Sequence, residues 1–105
     1  MALSQTLNTV GGTAVKLSPT VDGTWIAATL IVQNNSTADT IYLGTSAVTS
    51  SAYGYVLPPG TTNVKNSVTI SLNTSDVLYA VSSSTATPVP VITLKNTFTA
   101  QVPAS

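Results

Sequence analysis

Residues 40–82 read TIYLGTSAVTSSAYGYVLPPGTTNVKNSVTISLNTSDVLYAVS. Two apolar strand patterns, Ile41-Tyr42-Leu43-Gly44 and Val77-Leu78-Tyr79-Ala80-Val81, lie near its two ends. Between them lie a sharp break, Leu57-Pro58-Pro59-Gly60, and an alternating run from Val68 to Leu72. Val68, Ile70 and Leu72 alternate with Thr69 and Ser71, the period of a half-buried strand. Asn73-Thr74-Ser75-Asp76 is a turn by composition. Together with the strands on either side it predicts an antiparallel hairpin with a four-residue loop. Tyr53-Gly54-Tyr55-Val56-Leu57, if extended, places both tyrosines on one face, and residues 45–52 form a small polar loop with a short bridge near Val48.

Before this stretch in the chain, Trp25 to Asn34 is the strongest strand pattern. Ile26, Ala28, Leu30 and Val32 line one face, and Trp25, Ala27, Thr29, Ile31 and Gln33 the other. Both faces are largely apolar, so the strand is expected either at the centre of a sandwich or with its outer face covered by a partner. Thr13 to Ser18 is a short strand stopped by Pro19, and Val21-Asp22-Gly23-Thr24 is a turn. Pro88 and Pro90 remove two donors from one side of the run Val89 to Leu94, which predicts an edge strand at least at its start. No window carries a 3.6-residue period. The expected fold is all-β: a single antiparallel β-sandwich or β-barrel-like domain of about eight short strands. It spans residues 13–96, with an extended N-terminal arm at 1–12 and a C-terminal arm at 97–105.

Composition narrows the chemistry. Three lysines (Lys16, Lys65, Lys95) and three aspartates (Asp22, Asp39, Asp76) are the whole charge set, and the net charge is zero. No basic patch exists to hold phosphates, so nucleic-acid binding is not expected. The longest apolar run, Ile26 to Val32, is too short to span a bilayer, and Met1 to Gln5 carries no secretory pattern. Ser and Thr make up roughly a third of the chain, well above ordinary usage. A neutral hydroxyl-rich surface lacks the repulsion that keeps copies apart.

His, Cys, Glu and Arg are absent. Nucleophile–His–acid arrangements, Cys/His metal sites and Arg phosphate clamps have no residues to build them. A Ser–Lys pair needs a buried lysine, and the three lysines fall in polar strand or turn contexts. The aspartates occupy turn positions, where the side chain bonds its own backbone. No catalytic residue, metal site or cofactor is expected, and the protein is not expected to be an enzyme. Asn34-Asn35-Ser36, Asn35-Ser36-Thr37 and Asn73-Thr74-Ser75 match the glycosylation pattern, as chance allows in so Ser/Thr-rich a chain. Trp25, Tyr42, Tyr53 and Tyr55 are candidate anchors of an interface, joined by the apolar residues of the arms: Leu3, Leu7, Val10, Phe98 and Val102.

One pattern runs from Val32 to Val91: Val32, Asn34, Ile41-Tyr42-Leu43-Gly44, Ser46, Val48-Thr49, Gly54-Tyr55, Leu57, Pro59-Gly60, Ile70, Leu72, Leu78-Tyr79-Ala80-Val81-Ser82, Val89 and Val91. It resembles small β-rich virion proteins of tailed bacteriophages, the capsid decoration and minor head proteins. The resemblance implies a non-enzymatic structural protein on the outer surface of the head, folded in the host cytoplasm. It implies the major capsid protein and further copies of the chain as partners, a trimer suiting the quasi-threefold positions of a shell. The second expectation from this resemblance is a tail, fibre or head-fibre module that recognises host-surface glycans through exposed Tyr and Trp.

Overall fold

The first strand lies beside the last, and the strands between them nest in the same way. The structure, a computed structural model, describes residues 2–19, 25–83 and 88–98. Eight strands run in chain order: β1 (Ala2–Val10), β2 (Val15–Lys16), β3 (Ala27–Asn34), β4 (Ile41–Gly44), β5 (Tyr55–Leu57), β6 (Asn66–Asn73), β7 (Tyr79–Ser82) and β8 (Val89–Phe98). No helix occurs among the described residues. One four-stranded antiparallel sheet has the order β1-β8-β3-β6 and the other β2-β7-β4-β5. β1 pairs with β8, β2 with β7, β3 with β6 and β4 with β5. These are the pairs of one long hairpin whose turn falls between β4 and β5. Rolling that hairpin up adds the two remaining ladders, β3 with β8 and β4 with β7. An eight-stranded, two-sheet antiparallel sandwich wound in this way is a jelly roll.

Alternation decides which side of each strand faces the core. In β3, Ala28, Leu30, Val32 and Asn34 are buried, while Ala27, Thr29, Ile31 and Gln33 are more open. The cross-strand partners on the inner side of the first sheet include Val89, Val91, Val68, Ile70 and Leu72. Ile41, Leu43, Leu57 and Ala80 face them from the second sheet, with Leu17 and Leu78 in the same cluster. Each fully buried Val, Leu or Ile side chain among them contributes roughly 1.5–3 kcal/mol relative to exposure. The molecule measures 55 × 30 × 18 Å, the thin dimension being that of two packed sheets.

The structure departs from the expected arms, hairpin and edge strand. Residues 2–10, expected as part of an arm, form strand β1, paired with β8 along its whole length. β6 and β7 are not a hairpin, since they lie in different sheets. The turn between them is closed locally, with the Asn73 amide donating to Asp76 Oδ2 at 2.8 Å and the Asp76 amide to the Asn73 carbonyl at 3.0 Å. Thr74 Oγ1 then donates to the carbonyls of Trp25 and Ile26, which ties the turn to the entrance of β3 while the chain crosses to the second sheet. β8, expected at an edge, is central, flanked by β1 and β3. It tolerates Pro90 because the Pro90 carbonyl accepts from the Asn35 amide at 3.1 Å, one residue past the end of β3. The nitrogen and carbonyl of one strand residue point the same way, so the missing donor faces the point where that ladder stops. Of the expected C-terminal arm, Thr97 and Phe98 belong to β8 and the remainder lies outside the described residues.

The Leu57-Pro58-Pro59-Gly60 corner is held by two asparagines. Asn34 and Asn66 are cross-strand partners at the end of the β3–β6 ladder. Buried Asn34 donates from Nδ2 to the carbonyls of Asp39 and Leu57, both at 2.9 Å, and more distantly to Pro58 at 3.3 Å. Its Oδ1 accepts from the Ser36 amide at 3.0 Å. Asn66 Nδ2 donates to the Pro58 and Pro59 carbonyls at 2.8 and 3.2 Å. Prolines lack a donor, so their carbonyls are the groups by which this corner can be fixed. A Cβ at Gly60 would run into the Val64 carbonyl, because the loop closes there through a Thr61 amide bond to Val64 O of 2.7 Å.

Candidate interaction surfaces

The sequence names nine candidate interface residues, and the fold separates them. Trp25 is 4 % exposed and Val10 fully buried, so both are core rather than surface. Trp25 just precedes β3, and its backbone carbonyl is engaged by Thr74. Val10 is opposite Val89 at the end of β1, on the inner side of the sheet. Val102 lies outside the described residues.

Leu3, Leu7 and Phe98 come together on the outer face of the first sheet. Leu3 and Leu7 are 69 % and 64 % exposed. The register sets Leu7 opposite Ile92, Leu94 opposite Ile31, and Phe98 opposite Ala27. Leu3 is opposite Asn96, diagonal to both Leu94 and Phe98. The result is an apolar stripe crossing β1, β8 and β3. β6 borders it with outward-facing Ser67, Thr69, Ser71 and Asn73, all exposed. Lys95 falls on the opposite, core-facing side, in register with Leu30. The outer face of this sheet therefore carries no charged side chain. Ile31, Ile92 and Leu94 were not among the expected residues; the signal for Ile31 was the two-sided apolar pattern of Trp25–Asn34.

The tyrosines form a second surface on the other sheet. Tyr42 and Tyr53 meet with ring centroids 4.8 Å apart and planes tilted by 48°. Tyr42 is opposite Val56 on the outer side of β4 and β5, and Tyr53 reaches it from the preceding loop. Tyr55 is opposite core residue Leu43, so the two neighbouring tyrosines do not share a face as expected. The Gly54 amide bonds to the Leu43 carbonyl at 2.8 Å, and at this point the loop joins the ladder. Beneath the loop Val48 is buried against Gly44, where an added Cβ would sit 3.2 Å from the valine side chain. The bridge expected near Val48 is the Thr49–Ala52 pair. An open cavity of about 330 Å³ lies here, lined by small residues such as Gly44, Ala47 and Ala52 together with Val48 and Tyr53. It presents few groups that could orient a polar ligand.

Among the described residues no three His, Cys, Asp or Glu gather into a metal-binding group. Asp76 caps its own turn. Asp39 receives Asn34 on its carbonyl and donates its amide to Ser36 Oγ. Asp22 lies outside the described residues. No described helix is long and apolar enough to cross a membrane.

No family model matches the chain, and no curated protein matches it. Among solved structures it is similar to a chain from a study of Bacillus endospore appendages, described there as a novel family of disulfide-linked pili. The identity is 16 %, the match covers 93 % of this chain and 87 % of that one, and the TM-score is 0.52. A likeness at that identity is one of fold. The present chain has no cysteine with which to form a disulfide.

Proposed function

We propose that this protein is a non-enzymatic structural subunit that acts as one copy among many in a large assembly. The observation that carries this reading is the outer face of the first sheet: four strands wide, crossed by exposed Leu3, Leu7, Ile31 and Phe98, and free of charge. Soluble monomers seldom leave such a face open. The assembly we favour is the head of a tailed bacteriophage, with the protein bound across boundaries between major capsid subunits as a decoration protein. The sequence pattern from Val32 to Val91 supports this, and jelly rolls recur among viral capsid proteins. Stabilisation of the shell would follow from mass action, since opening it must also break every decoration contact. The test is to add purified protein to undecorated heads and measure binding and heat resistance. Saturable binding with a higher shell disruption temperature is expected; the absence of both refutes the capsid role.

A second reading is supported by the endospore-appendage neighbour: a pilus-like or fibre subunit. Lacking cysteine, such a fibre would be held by non-covalent contacts alone. Electron microscopy of concentrated purified protein separates the two, regular filaments favouring the fibre and their absence the capsid.

A further inference from the structure

We infer that the outer face of the first sheet is a self-docking surface, and that two copies of this chain pack it face to face about a twofold axis. The inference rests on the reading of this face as an assembly contact and names a second copy as its occupant, so contacts with a head or a fibre belong to the rest of the surface. Three observations select a second copy as the occupant. The face has the anatomy of an interface, an apolar centre of Leu7, Ile31, Ile92 and Leu94 with a hydroxyl and amide margin on β6. It carries no charged side chain, Lys95 being on the core side, so bringing two identical faces together sets no like charges against each other. A charged partner would find nothing to pair with. Its size also suffices. Strands of eight to ten residues, four abreast, cover about 500 Å² per copy at about 3.3 Å per residue and about 4.8 Å between strands. Two copies then bury about 1,000 Å², the lower bound for a specific interface. Sheets stack face to face at about 10 Å, the spacing expected between the two copies.

The central Leu94–Ile31 pair would lie near the twofold axis, so residue 31 of one copy would approach residue 31 of the other. The chain has no cysteine, and a single introduced one therefore reports its own surroundings. The full chain should sediment as a dimer across the micromolar range. Leu3→Lys with Leu7→Lys, both at exposed positions, should weaken the dimer by about a hundredfold or more because two charges per copy become buried without partners. Circular dichroism and the melting profile of the isolated variant check that it remains folded. Ile31→Cys should form a disulfide-linked dimer under mild oxidation, whereas Thr49→Cys, in the β4–β5 loop of the second sheet, should not. A wild-type monomer overturns the proposal, including one that uses this face to bind phage heads instead. So does a dimer that survives the lysine pair, which would place the contact at a sheet edge. Cross-linking at residue 49 in preference to residue 31 overturns it as well.

Discussion

Replacing Asn34 with alanine would remove the one side chain that bonds both the β5 end and the β4 approach from inside the core. Its four hydrogen bonds reach Ser36, Asp39, Leu57 and Pro58, and the residue is fully buried. Truncation strands a buried amide and carbonyls without water to replace the lost partner. The expected cost is about 3 kcal/mol, read as a lower urea midpoint with unchanged slope. Asn66→Ala, at a more open site, should cost less. Thr93 poses the opposite case. It is fully buried, and its Oγ1 has no hydrogen-bond partner among the described residues. It sits between Val32 and Thr6 on the inner side of the sheet. Thr93→Val keeps the branched shape and removes the unsatisfied hydroxyl, so stability should rise by about 1 kcal/mol in the same titration. A fall would mean that the hydroxyl is satisfied.

Strand β3 offers the sharpest test of which face is which. Leu30 is fully buried and Ile31, its neighbour, is 39 % exposed. Leu30→Ala should cost about 2–5 kcal/mol through lost burial and the cavity left behind. Ile31→Ala should cost well under that in a monomeric reference state, because little of its surface is withdrawn from water within one chain. Equal costs would contradict the register. The same strand shows what a sequence can and cannot disclose. Alternation and turn chemistry are local, so β3, β4, β6 and the inward set Val68, Ile70, Leu72 were legible, as was the all-β sandwich. Pairing is not local. The partner of β6 is β3, far back in the chain, and the short Asn73–Asp76 turn mimics a hairpin although Thr74 anchors it to Trp25 and Ile26. β1 was hidden for a related reason: residues 2–10 show little contrast between faces, because Leu3 and Leu7 point outward and only Val10 reaches the core. Candidate anchors followed the same rule. Apolar Leu3, Leu7 and Phe98 could be named, but only the β1–β8–β3 register gathers them with Ile92, Leu94 and Ile31.

Nested pairing ties the first strand to the last. Ala2 is opposite Thr97, so the first sheet closes only after nearly the entire chain is in place. Loop-closure entropy must be met before those contacts form, and folding should be slow for a domain of this size. Stopped-flow refolding should show relaxation on the order of milliseconds to seconds, in the range of other sandwich folds; a microsecond phase carrying the full amplitude would contradict this topology. Charge distribution makes a second global demand. The described charged residues are Lys16, Lys65, Lys95, Asp39 and Asp76, and the register sets none of them on the outer face of the first sheet. Self-association through that face gains nothing from ion pairs and loses nothing to like-charge repulsion. Raising the salt from about 0.05 M to about 0.5 M, which shortens the screening length several-fold, should therefore leave the dimer constant within about twofold. Apolar burial should instead give association a negative heat-capacity change, measurable by calorimetric dilution at several temperatures. A dissociation constant that climbs steeply with salt would show that charges hold the copies together, and the contact would then have to lie away from Leu7, Ile31 and Leu94.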